Sequence, residues 1–353
     1  MDDRTLLAID AIRRDSRSGA VELANRAALL LIEYCDTYRA EAFERELTSL
    51  CRALIGAQPS MAPLLNLCNA VLRAAEHPGI VYPEGRPQPA TPPQAASNAA
   101  LRFYAFLAHH PRRIANEMLP YIHSGALLLT HSSSATVLAA LLRAHEAGKR
   151  FGVVCTESRP LYEGVSMARQ LAEAGIGVEV IADAAAAVFV HGFYALLIGA
   201  DAITSEGVLN KVGTLGMALA ARTPTLRNGA KLRKSAEAWS RTSCTPEPAA
   251  SAMRRGSSDV PGHSERVAGV PVYCLAGSEK LVPAGAELSI EEKNPAEIVE
   301  SGPNLRGFNI YFDQTPLDLI TKFFTEDGVL TPDEIRERLS AVSLHPALLP
   351  EPP

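Results

Sequence analysis

The chain has 353 residues, of which 47% are hydrophobic and 21% are charged, and its formal net charge is −5. This length is enough for two domains, each with its own core. No apolar run approaches the roughly 20 residues that a membrane span needs, and the acidic start MDDRTLLAID is unlike a secretory signal. We therefore expect a cytoplasmic protein, and the negative charge gives no reason to expect nucleic acid as a partner.

The cysteines follow no CxxC or Cys/His spacing. This pattern indicates neither a zinc site nor a disulfide framework, so no metal is expected. We expect reduced thiols, most of them buried in hydrophobic cores. The six are Cys35, Cys51, Cys68, Cys155, Cys244 and Cys274.

The first third of the chain has the apolar spacing of α-helices. Helices are predicted over residues 20–34, 41–56, 61–75 and 94–122. The proline-rich stretch at 77–93 lacks this period and is predicted to be a loop. Residues 1–122 are therefore predicted to form an N-terminal helical domain.

A polar turn, RRDSRSGA at residues 13–20, precedes the helix that starts near residue 20. Ser18 can cap this helix. A helix start of this kind leaves backbone N–H groups free to bind an anion. The alternative is an ordinary capped turn with solvated arginines.

From residue 125 the pattern changes to apolar strands that alternate with amphipathic helices. Strands are predicted at 126–130, 151–155, 177–181, 195–200 and 270–276, and helices at 135–148, 163–174, 184–192 and 211–221. Such alternation predicts parallel strands joined by right-handed crossovers. Residues 123–342 are therefore predicted to form a doubly wound α/β domain, which ends in a turn-rich segment at 304–342 with two short helices. A loose tail is expected at 343–353.

One stretch, residues 222–266, interrupts this alternation. It is rich in Ser, Pro, Ala and Arg, and it contains Trp239, the one tryptophan of the sequence. Without periodic apolar residues it cannot bury enough surface to offset the entropy of ordering, so we predict a disordered insertion. Its basic character could suit an acidic partner, but solvated disorder is the interpretation that we favour.

The most informative stretch is YALLIGADAITSEGVLNKVGT at 194–214. It places Asp201 just beyond a predicted buried strand, and Asn210 and Lys211 lead into the next helix. In open α/β sheets, ligands bind at such strand-to-helix connections. A helix-capping Asp and a solvated Lys are the alternative for each residue alone.

Polar residues also follow the other predicted strands. Three consecutive hydroxyls, at 132–134, follow the first strand, and Arg159, Asp183 and Lys280 follow later strands. Helix starts and fixed cations on one rim suit a phosphate group. We therefore predict a site for a phosphorylated, hydroxyl-rich small molecule, and a sugar phosphate fits this set of groups well.

The motifs THSSS, ESRPLYEG, GADAITSEGVLNKVGT, VPVYCLAGSEKLVP and FDQTPLDLIT occur in this order. In this order they resemble the family of the alpha, beta and delta subunits of translation initiation factor 2B. That family also contains ribose-1,5-bisphosphate isomerase and methylthioribose-1-phosphate isomerase. The resemblance runs from about residue 13 to residue 330 outside the insertion. It implies an N-terminal helical bundle followed by a Rossmann-like doubly wound parallel sheet (NagB/RpiA/CoA-transferase-like). It also implies no cofactor, and a homodimer or larger assembly through the C-terminal domain.

The isomerases of this family use a cysteine and an aspartate as an acid/base pair. Asp201 matches the aspartate, whereas Ser132 stands where the cysteine would be. A thiol has a reference pKa of about 8.5, but an alcohol needs a neighbouring base. His131 adjoins Ser132, yet it also matches a histidine of the cysteine-bearing members.

The resemblance further implies a set of ligand-contacting residues. They are Arg17, Ser18, Gly19, Ala20, Ser134, Ala135, Thr136, Arg159, Asn210, Lys211 and Lys280. Gln58 stands where the isomerases often have arginine, which weakens the case for a bisphosphate more than for a monophosphate.

Two functions remain open on this sequence. The main hypothesis is a non-catalytic regulatory or sensor subunit that binds a phosphorylated sugar or nucleotide in the cleft of the C-terminal domain. The alternative is an aldose-ketose isomerase, an intramolecular oxidoreductase, that uses Asp201 with Ser132 in place of the family cysteine.

Overall fold

The computed structural model describes residues 1–16, 18–38, 41–81, 88–223, 269–286 and 288–349. The predicted insertion at 222–266, with Trp239 and Cys244, lies outside the described residues apart from its first two positions. None of the described helices is both long and apolar enough to cross a membrane. The five cysteines in the described ranges are buried and unpaired, as predicted.

Five helices form the N-terminal region. They are α1 (Asp3–Arg14), α2 (Ala20–Thr37), α3 (Phe43–Ile55), α4 (Ala62–Glu76) and α5 (Pro92–Met118). Along α2, Leu23, Ala27 and Leu31 recur at helical spacing and are fully buried, which explains why the apolar period predicted this helix. The loop predicted at 77–93 contains a two-stranded hairpin, β1 (Ile80–Val81) with β2 (Gln88–Pro89).

Helix α5 joins the two halves of the molecule. It starts with a capping box, in which Thr91 Oγ1 accepts from Gln94 N at 3.4 Å and Gln94 Oε1 accepts from Thr91 N at 3.0 Å. Its first turns, through Ala100, pack in the core of the N-terminal helices, whereas Ile114 and Met118 lie in a core beneath the sheet. One helix therefore contributes to both hydrophobic cores.

The second half is built on a seven-stranded sheet. Its strands are β3 (Leu127–Thr130), β4 (Gly152–Thr156), β5 (Gly177–Ile181), β6 (Ala195–Ile198), β9 (Val272–Leu275), β11 (Lys322–Thr325) and β12 (Gly328–Leu330). Their order is β12-β11-β9-β6-β3-β4-β5, and all neighbours are parallel except β11 and β12. This confirms the predicted α/β fold with an N-terminal helical region and a mostly parallel sheet.

Helices follow most of these strands. They are α6 (Ala135–Glu146), α7 (Glu163–Glu173), α8 (Asp183–Phe189), α9 (Thr214–Arg222) and α10 (Pro332–Ala341). The chain runs outward from β3 through β4 to β5, and then returns to β6 on the other side of β3. The strand order thus reverses between β3 and β6, which creates the crevice where open α/β sheets bind ligands.

A small antiparallel sheet corrects the prediction of a helix at 211–221. Strands β7 (Ala202–Ile203), β8 (Val208–Lys211) and β10 (Phe312–Thr315) form it in the order β10-β8-β7. Lys211 ends β8 opposite Phe312, and the helix begins only at Thr214, after Gly213 with φ 111°. Asp313 fixes this start, because its carboxylate accepts from the N–H groups of Gly213 at 2.7 Å and Leu215 at 3.2 Å.

The segment at 304–342 also differs from its prediction of two short helices. Strands β11 and β12 form a hairpin there, and α10 is its one α-helix. Phe323 and Phe324 of β11 are both buried, one in each of the two cores that flank the sheet. A strand buried on both faces has no alternating pattern, which is why its short apolar run was missed.

Residues 343–349, the start of the tail that the sequence suggests is loose, contact α4. Asn69 Nδ2 donates to Ser343 O at 3.0 Å, and His345 N donates to Asn69 Oδ1 at 2.7 Å. Leu344 is buried in the N-terminal core. Residues 350–353 lie outside the described part of the chain.

Candidate functional site

A cavity of about 1060 Å³ opens at the reversal point between β3 and β6. One wall comes from the loops after these strands, and the opposite wall comes from the end of α1 and the start of α2. Its lining includes residues 13–16, 18–22, 132–136, 160–163 and 199–201, together with several later positions. The N-terminal helices and the sheet therefore build the cavity jointly.

Most of the predicted site residues meet at this cavity. Those that line it are Ser18, Gly19, Ala20, Ser132, Ser134, Ala135, Thr136, Asp201, Asn210, Lys211 and Lys280. Arg17 lies outside the described residues. Arg159 is not among the lining residues: its guanidinium lies 5.0 Å from the centre of the Tyr162 ring, and its backbone N–H donates to Asp183 at 2.7 Å.

Asp201 lies three residues beyond the end of β6 and is held by its backbone. Its N–H donates to Leu209 O at 2.8 Å, and its carbonyl accepts from Ala62 N of α4 at 3.2 Å. Within the described ranges, no hydrogen bond reaches its carboxylate. Burial raises the pKa of the Asp201 carboxyl, while the positive charges of Lys280 and Lys211 oppose part of that rise. Such a carboxyl holds its proton to a higher pH than an exposed aspartate.

Ser132 occupies a left-handed backbone conformation with φ 68°, and its N–H donates to Ser158 Oγ at 2.8 Å. The neighbouring His131 does not serve its hydroxyl. The Nε2 of His131 lies 3.0 Å from Val212 O, and its Nδ1 lies 2.6 Å from Thr156 Oγ1. Because a carbonyl only accepts, Nε2 carries the hydrogen and Nδ1 accepts from Thr156. Burial lowers the pKa of His131, which favours this neutral ring with both nitrogens engaged.

The three hydroxyls after β3 lead into the start of α6. Ser134 Oγ accepts from Val137 N at 3.4 Å and lies 2.9 Å from Thr136 Oγ1. A Cβ atom at Gly199 would lie only 2.5 Å from Ser134 Oγ, so the close approach of the two loops requires glycine there. The N-terminus of a 12-residue helix thus faces the cavity at the reversal point and suits an anionic group.

Two buried lysines line the cavity from the sheet side. Lys211 Nζ donates to Glu163 Oε1 at 2.7 Å and lies 4.7 Å from the centre of the Tyr311 ring. Lys280 ends a short 3-10 turn, Ser278–Lys280, and is 5% exposed. In the part of the chain that the structure describes, its ammonium has no hydrogen-bond or ion-pair partner.

Gln58 lines the cavity, but its side-chain amide is committed to α1. Its Nε2 donates to Ile12 O at 2.9 Å and to Asp15 O at 3.0 Å, which satisfies carbonyls at the C-terminal end of α1. Gln58 is 4% exposed, and it holds the turn that precedes α2. The family arginine at this position would present a charge where this chain has a neutral amide.

Sequence reasoning missed several lining residues. Lys293, Glu297 and Tyr311 lie in an irregular segment, and the Tyr311 hydroxyl donates to Glu297 Oε1 at 2.7 Å. Lys293 Nζ lies 5.4 Å from the centre of the Tyr311 ring, on which Lys211 also packs. No periodic signal marks this segment, and only the pairing of β8 with β10 brings Tyr311 to the cavity. Within the described residues, no three His, Cys, Asp or Glu side chains form a group that could hold a metal ion.

The profile of the Initiation factor 2 subunit family matches residues 16–226 and 264–332. The chain belongs to this family. A curated relative, the ribose 1,5-bisphosphate isomerase of Archaeoglobus fulgidus, is 29% identical to it over 340 residues, which cover 94% of this chain and 91% of that protein. The putative translation initiation factor eIF-2B subunit 2-like protein of Pyrococcus horikoshii is 32% identical over 220 residues, or 62% of this chain and 74% of that protein.

A solved structure extends this likeness to the fold. The crystal structure of translation initiation factor eIF-2B from Pyrococcus horikoshii OT3 aligns with a TM-score of 0.70 and 26% identity. The alignment covers 95% of this member of the Initiation factor 2 subunit family and 99% of that chain. Both the helical region and the sheet region are therefore shared.

Proposed function

We propose that this protein binds a phosphorylated aldose in the cavity between β3 and β6 and converts it to the ketose. The observation that carries the proposal is Asp201, a carboxyl of raised pKa that lines the cavity close enough to Lys280 and Lys211 for their charges to lower that pKa. The name of the Archaeoglobus fulgidus relative, ribose 1,5-bisphosphate isomerase, supports this chemistry. Isomerisation is thus preferred over the purely regulatory role that the sequence favoured.

An aldose-ketose conversion moves hydrogen between C1 and C2 and shifts a proton between sugar oxygens. A group that exchanges protons near neutral pH is suited to this task. The raised pKa of Asp201 brings its titration towards that range. Lys280 and the N-terminus of α6 provide the positive potential that holds a phosphate, and Ser132 and Ser133 present hydroxyls to the cavity.

The second proton-transfer position is weaker than in a cysteine-bearing isomerase. Ser132 has no adjacent base, since both ring nitrogens of His131 are engaged by Thr156 and Val212. A water or a hydroxyl of the sugar itself has to complete the transfer. General acid/base help is typically about 100- to 10,000-fold, so we expect a slow enzyme.

The direct test is incubation of the protein with ribose 1,5-bisphosphate or methylthioribose 1-phosphate, with ketose formation followed by NMR. Asp201→Asn should lower turnover by about 100- to 10,000-fold, because it removes proton exchange without changing the side-chain shape. Its circular dichroism and thermal transition should show a folded protein. Full activity in Asp201→Asn would refute the mechanism.

Ser132→Cys tests the second position. We expect this variant to be faster than the unmodified protein, since a thiol ionises far more readily than an alcohol. Ser133→Cys places the thiol at the next cavity-lining position and shows whether the gain depends on position 132. Equal turnover in all three proteins would mean that position 132 takes no part.

The second candidate function is ligand binding without turnover, as a sensor or regulatory subunit. Two observations favour it: Ser132 lacks a base, and Gln58 is committed to α1. Phosphorylated sugars or nucleotides would then raise the melting temperature with no product formed. Failure of every phosphorylated ligand to stabilise the protein would refute both candidates.

Assembly and location are part of the same proposal. We propose a homodimer or larger assembly through the sheet region, in the cytoplasm. One solved neighbour is described as a tetrameric eIF2B-beta2-delta2 complex, and with 17% identity it supports the shared fold. Light scattering of the purified protein would test the assembly, and a monomer at micromolar concentration would contradict it.

A further inference from the structure

Asn66 of α4 holds the turn that carries Lys280. Its Nδ2 donates to Glu279 O at 2.7 Å and to Leu281 O at 2.8 Å. These carbonyls belong to the residues on either side of Lys280, so both hydrogens of the amide are used on the backbone that carries this lysine. Asn66 does not line the cavity. A side chain outside the site therefore fixes the backbone of a residue inside it.

The same face of α4 also holds Asp201. Ala62 is the first residue of α4, and its N–H donates to Asp201 O at 3.2 Å. The first N–H groups of a helix have no partner within the helix, and Asp201 satisfies this one. Residues four apart lie one above the other on a helix, so Ala62 and Asn66 share one face of α4. One helical turn therefore spans from Asp201 to the turn that carries Lys280.

Residues of the two sheets, or beside them, anchor the ends of this turn. Ser278 N donates to the Glu326 carboxylate at 3.1 Å, and Val282 N donates to Ile203 O at 2.9 Å. Asn66 adds two hydrogen bonds between these anchors, directly beside the lysine. Without them the turn would stay attached at both ends but would be free to shift at its centre.

The position of the Lys280 ammonium decides what its charge can do. Lys280 is 5% exposed, and in the described ranges its ammonium has no hydrogen-bond or ion-pair partner. Burial raises the pKa of the Asp201 carboxyl, and the Lys280 charge opposes part of that rise. Because no side chain holds the ammonium, its place is set by its own backbone. A displacement of about 1 Å in a binding site can cost about 100-fold in activity.

We propose that Asn66 is a positioning residue, through which α4 sets where Lys280 meets a phosphate in the cavity. It touches no ligand and acts through the backbone on either side of Lys280. Because α4 belongs to the N-terminal helical region, phosphate affinity then depends on how that region packs against the sheet. The role rests on the proposed binding of a phosphorylated sugar, but the position of Lys280 can be measured without any ligand.

The test compares Asn66→Leu with Asn69→Leu, and calorimetry measures the dissociation constant of ribose 1,5-bisphosphate. Leucine has nearly the size of asparagine and removes both N–H donors. We expect Asn66→Leu to weaken binding about 10-fold, because the ammonium is displaced. Asn69, three residues further along α4, also makes two hydrogen bonds to backbone, but at residues 343 and 345. Asn69→Leu should bind within about 2-fold of the unmodified protein.

A double variant separates positioning from a general loss of stability. With Lys280→Met present, Asn66→Leu should weaken binding by no more than about a further 2-fold, because the ammonium that it displaces is already gone. A general loss of stability would instead add to the effect of Lys280→Met. Equal losses of affinity in Asn66→Leu and Asn69→Leu, or full additivity with Lys280→Met, would overturn the proposal. If Asn66→Leu does not fold, Asn66→Gln keeps the amide on a longer side chain and is judged by the same two outcomes.

Carboxyl ¹³C NMR of Asp201 tests the inference in the absence of ligand. A Lys280 charge that is no longer held near Asp201 opposes the effect of burial less, so the pKa of Asp201 should rise in Asn66→Leu, as in Lys280→Met. Asn69→Leu should leave it unchanged. An Asp201 pKa that does not move in Asn66→Leu would overturn the inference, whatever the protein binds. The expected rise together with no binding of any phosphate compound would refute the proposed function and leave the positioning of Lys280 established.

Discussion

Lys211 and Lys280 reach the same cavity from neighbouring parts of the sheet and differ in what surrounds their charges. Both are almost fully buried, at 2% and 5% exposure. Lys211 pairs with Glu163 and packs on the Tyr311 ring. The Lys280 ammonium has no hydrogen-bond or ion-pair partner in the described ranges of the chain, although its charge acts on Asp201. The two lysines are similarly buried, but only the charge of Lys211 is paired with a carboxylate.

A buried charge is unfavourable unless it is paired, so the unpaired one needs an explanation. Lys211 is compensated within the protein and stabilises the junction of β8, α7 and the Tyr311 segment. The Lys280 ammonium is free to donate hydrogen bonds to a ligand that enters the cavity. Lys211 therefore contributes to the stability of the fold and Lys280 to the affinity for a ligand. The two roles can be tested separately.

The largest expected effect is on folding. Lys211→Met leaves Glu163 partly buried without its partner, and breaking such a pair costs about 3–5 kcal/mol. We expect the free energy of unfolding in urea to fall by that amount. The double variant Lys211→Met/Glu163→Gln removes the orphaned charge and should recover most of the loss. No recovery would show that Lys211 stabilises the fold by another contact.

Lys280→Met should reverse this pattern. A hydrogen bond to a charged group contributes about 1.5–3 kcal/mol, so the affinity for ribose 1,5-bisphosphate should fall about 10- to 150-fold. Stability should change by less than about 1 kcal/mol, because no described hydrogen bond or ion pair of the Lys280 ammonium is lost and only its electrostatic interaction with Asp201 disappears. Calorimetry and urea unfolding measure the two quantities. Reduced stability with unchanged affinity would show that Lys280 stabilises the fold and does not bind the ligand.

Gln58→Met tests the uncharged amide that lines the cavity next to the end of α1. It leaves carbonyls at the end of α1 without their donor, which should cost about 1–3 kcal/mol of stability. The turn before α2 would lose its anchor, and phosphate affinity should fall as well. Gln88→Met, at an exposed glutamine of β2 outside the cavity, is the matched control and should change stability by less than about 0.5 kcal/mol.

The smallest expected effect is on the titration of Asp201. Both lysines lower its pKa, with Lys280 the larger influence, so Lys280→Met should raise that pKa more than Lys211→Met does. The native pKa already lies above the unfolded value, so this contribution to stability is full at acid pH and is lost as pH rises through the native pKa. Carboxyl ¹³C NMR of the two variants measures the order. A larger rise of the Asp201 pKa in Lys211→Met than in Lys280→Met would contradict the larger influence of Lys280.

The sequence was sufficient for elements that carry a regular period. The parallel strands near 126–130, 177–181 and 195–200 and the helices α2 to α5 were predicted close to their observed bounds, whereas α1 was given no predicted bounds. Strand β8 was not, because polar Asn210 and Lys211 face the cavity from a strand whose partner, β10, lies about a hundred residues later. Local spacing contains no information on such a pairing.

The site was predicted as a set of residues but not as a set of interactions. Loop motifs identified Asp201, Lys211 and Lys280, yet the partner of Lys211 comes from α7 and that of His131 from the ends of β4 and β8. Which lysine is free depends on side-chain geometry across separate elements. The sequence alone could not distinguish them.

The pairing of β8 with β10 also sets an order on synthesis. One wall of the cavity comes from residues 13–22, and the segment around Tyr311 closes it from near the other end of the chain. While the protein emerges from the ribosome, Lys211 has no partner strand until Phe312 has been made. The helical N-terminal region can fold early, but the binding cavity can form only after nearly the whole chain has been translated.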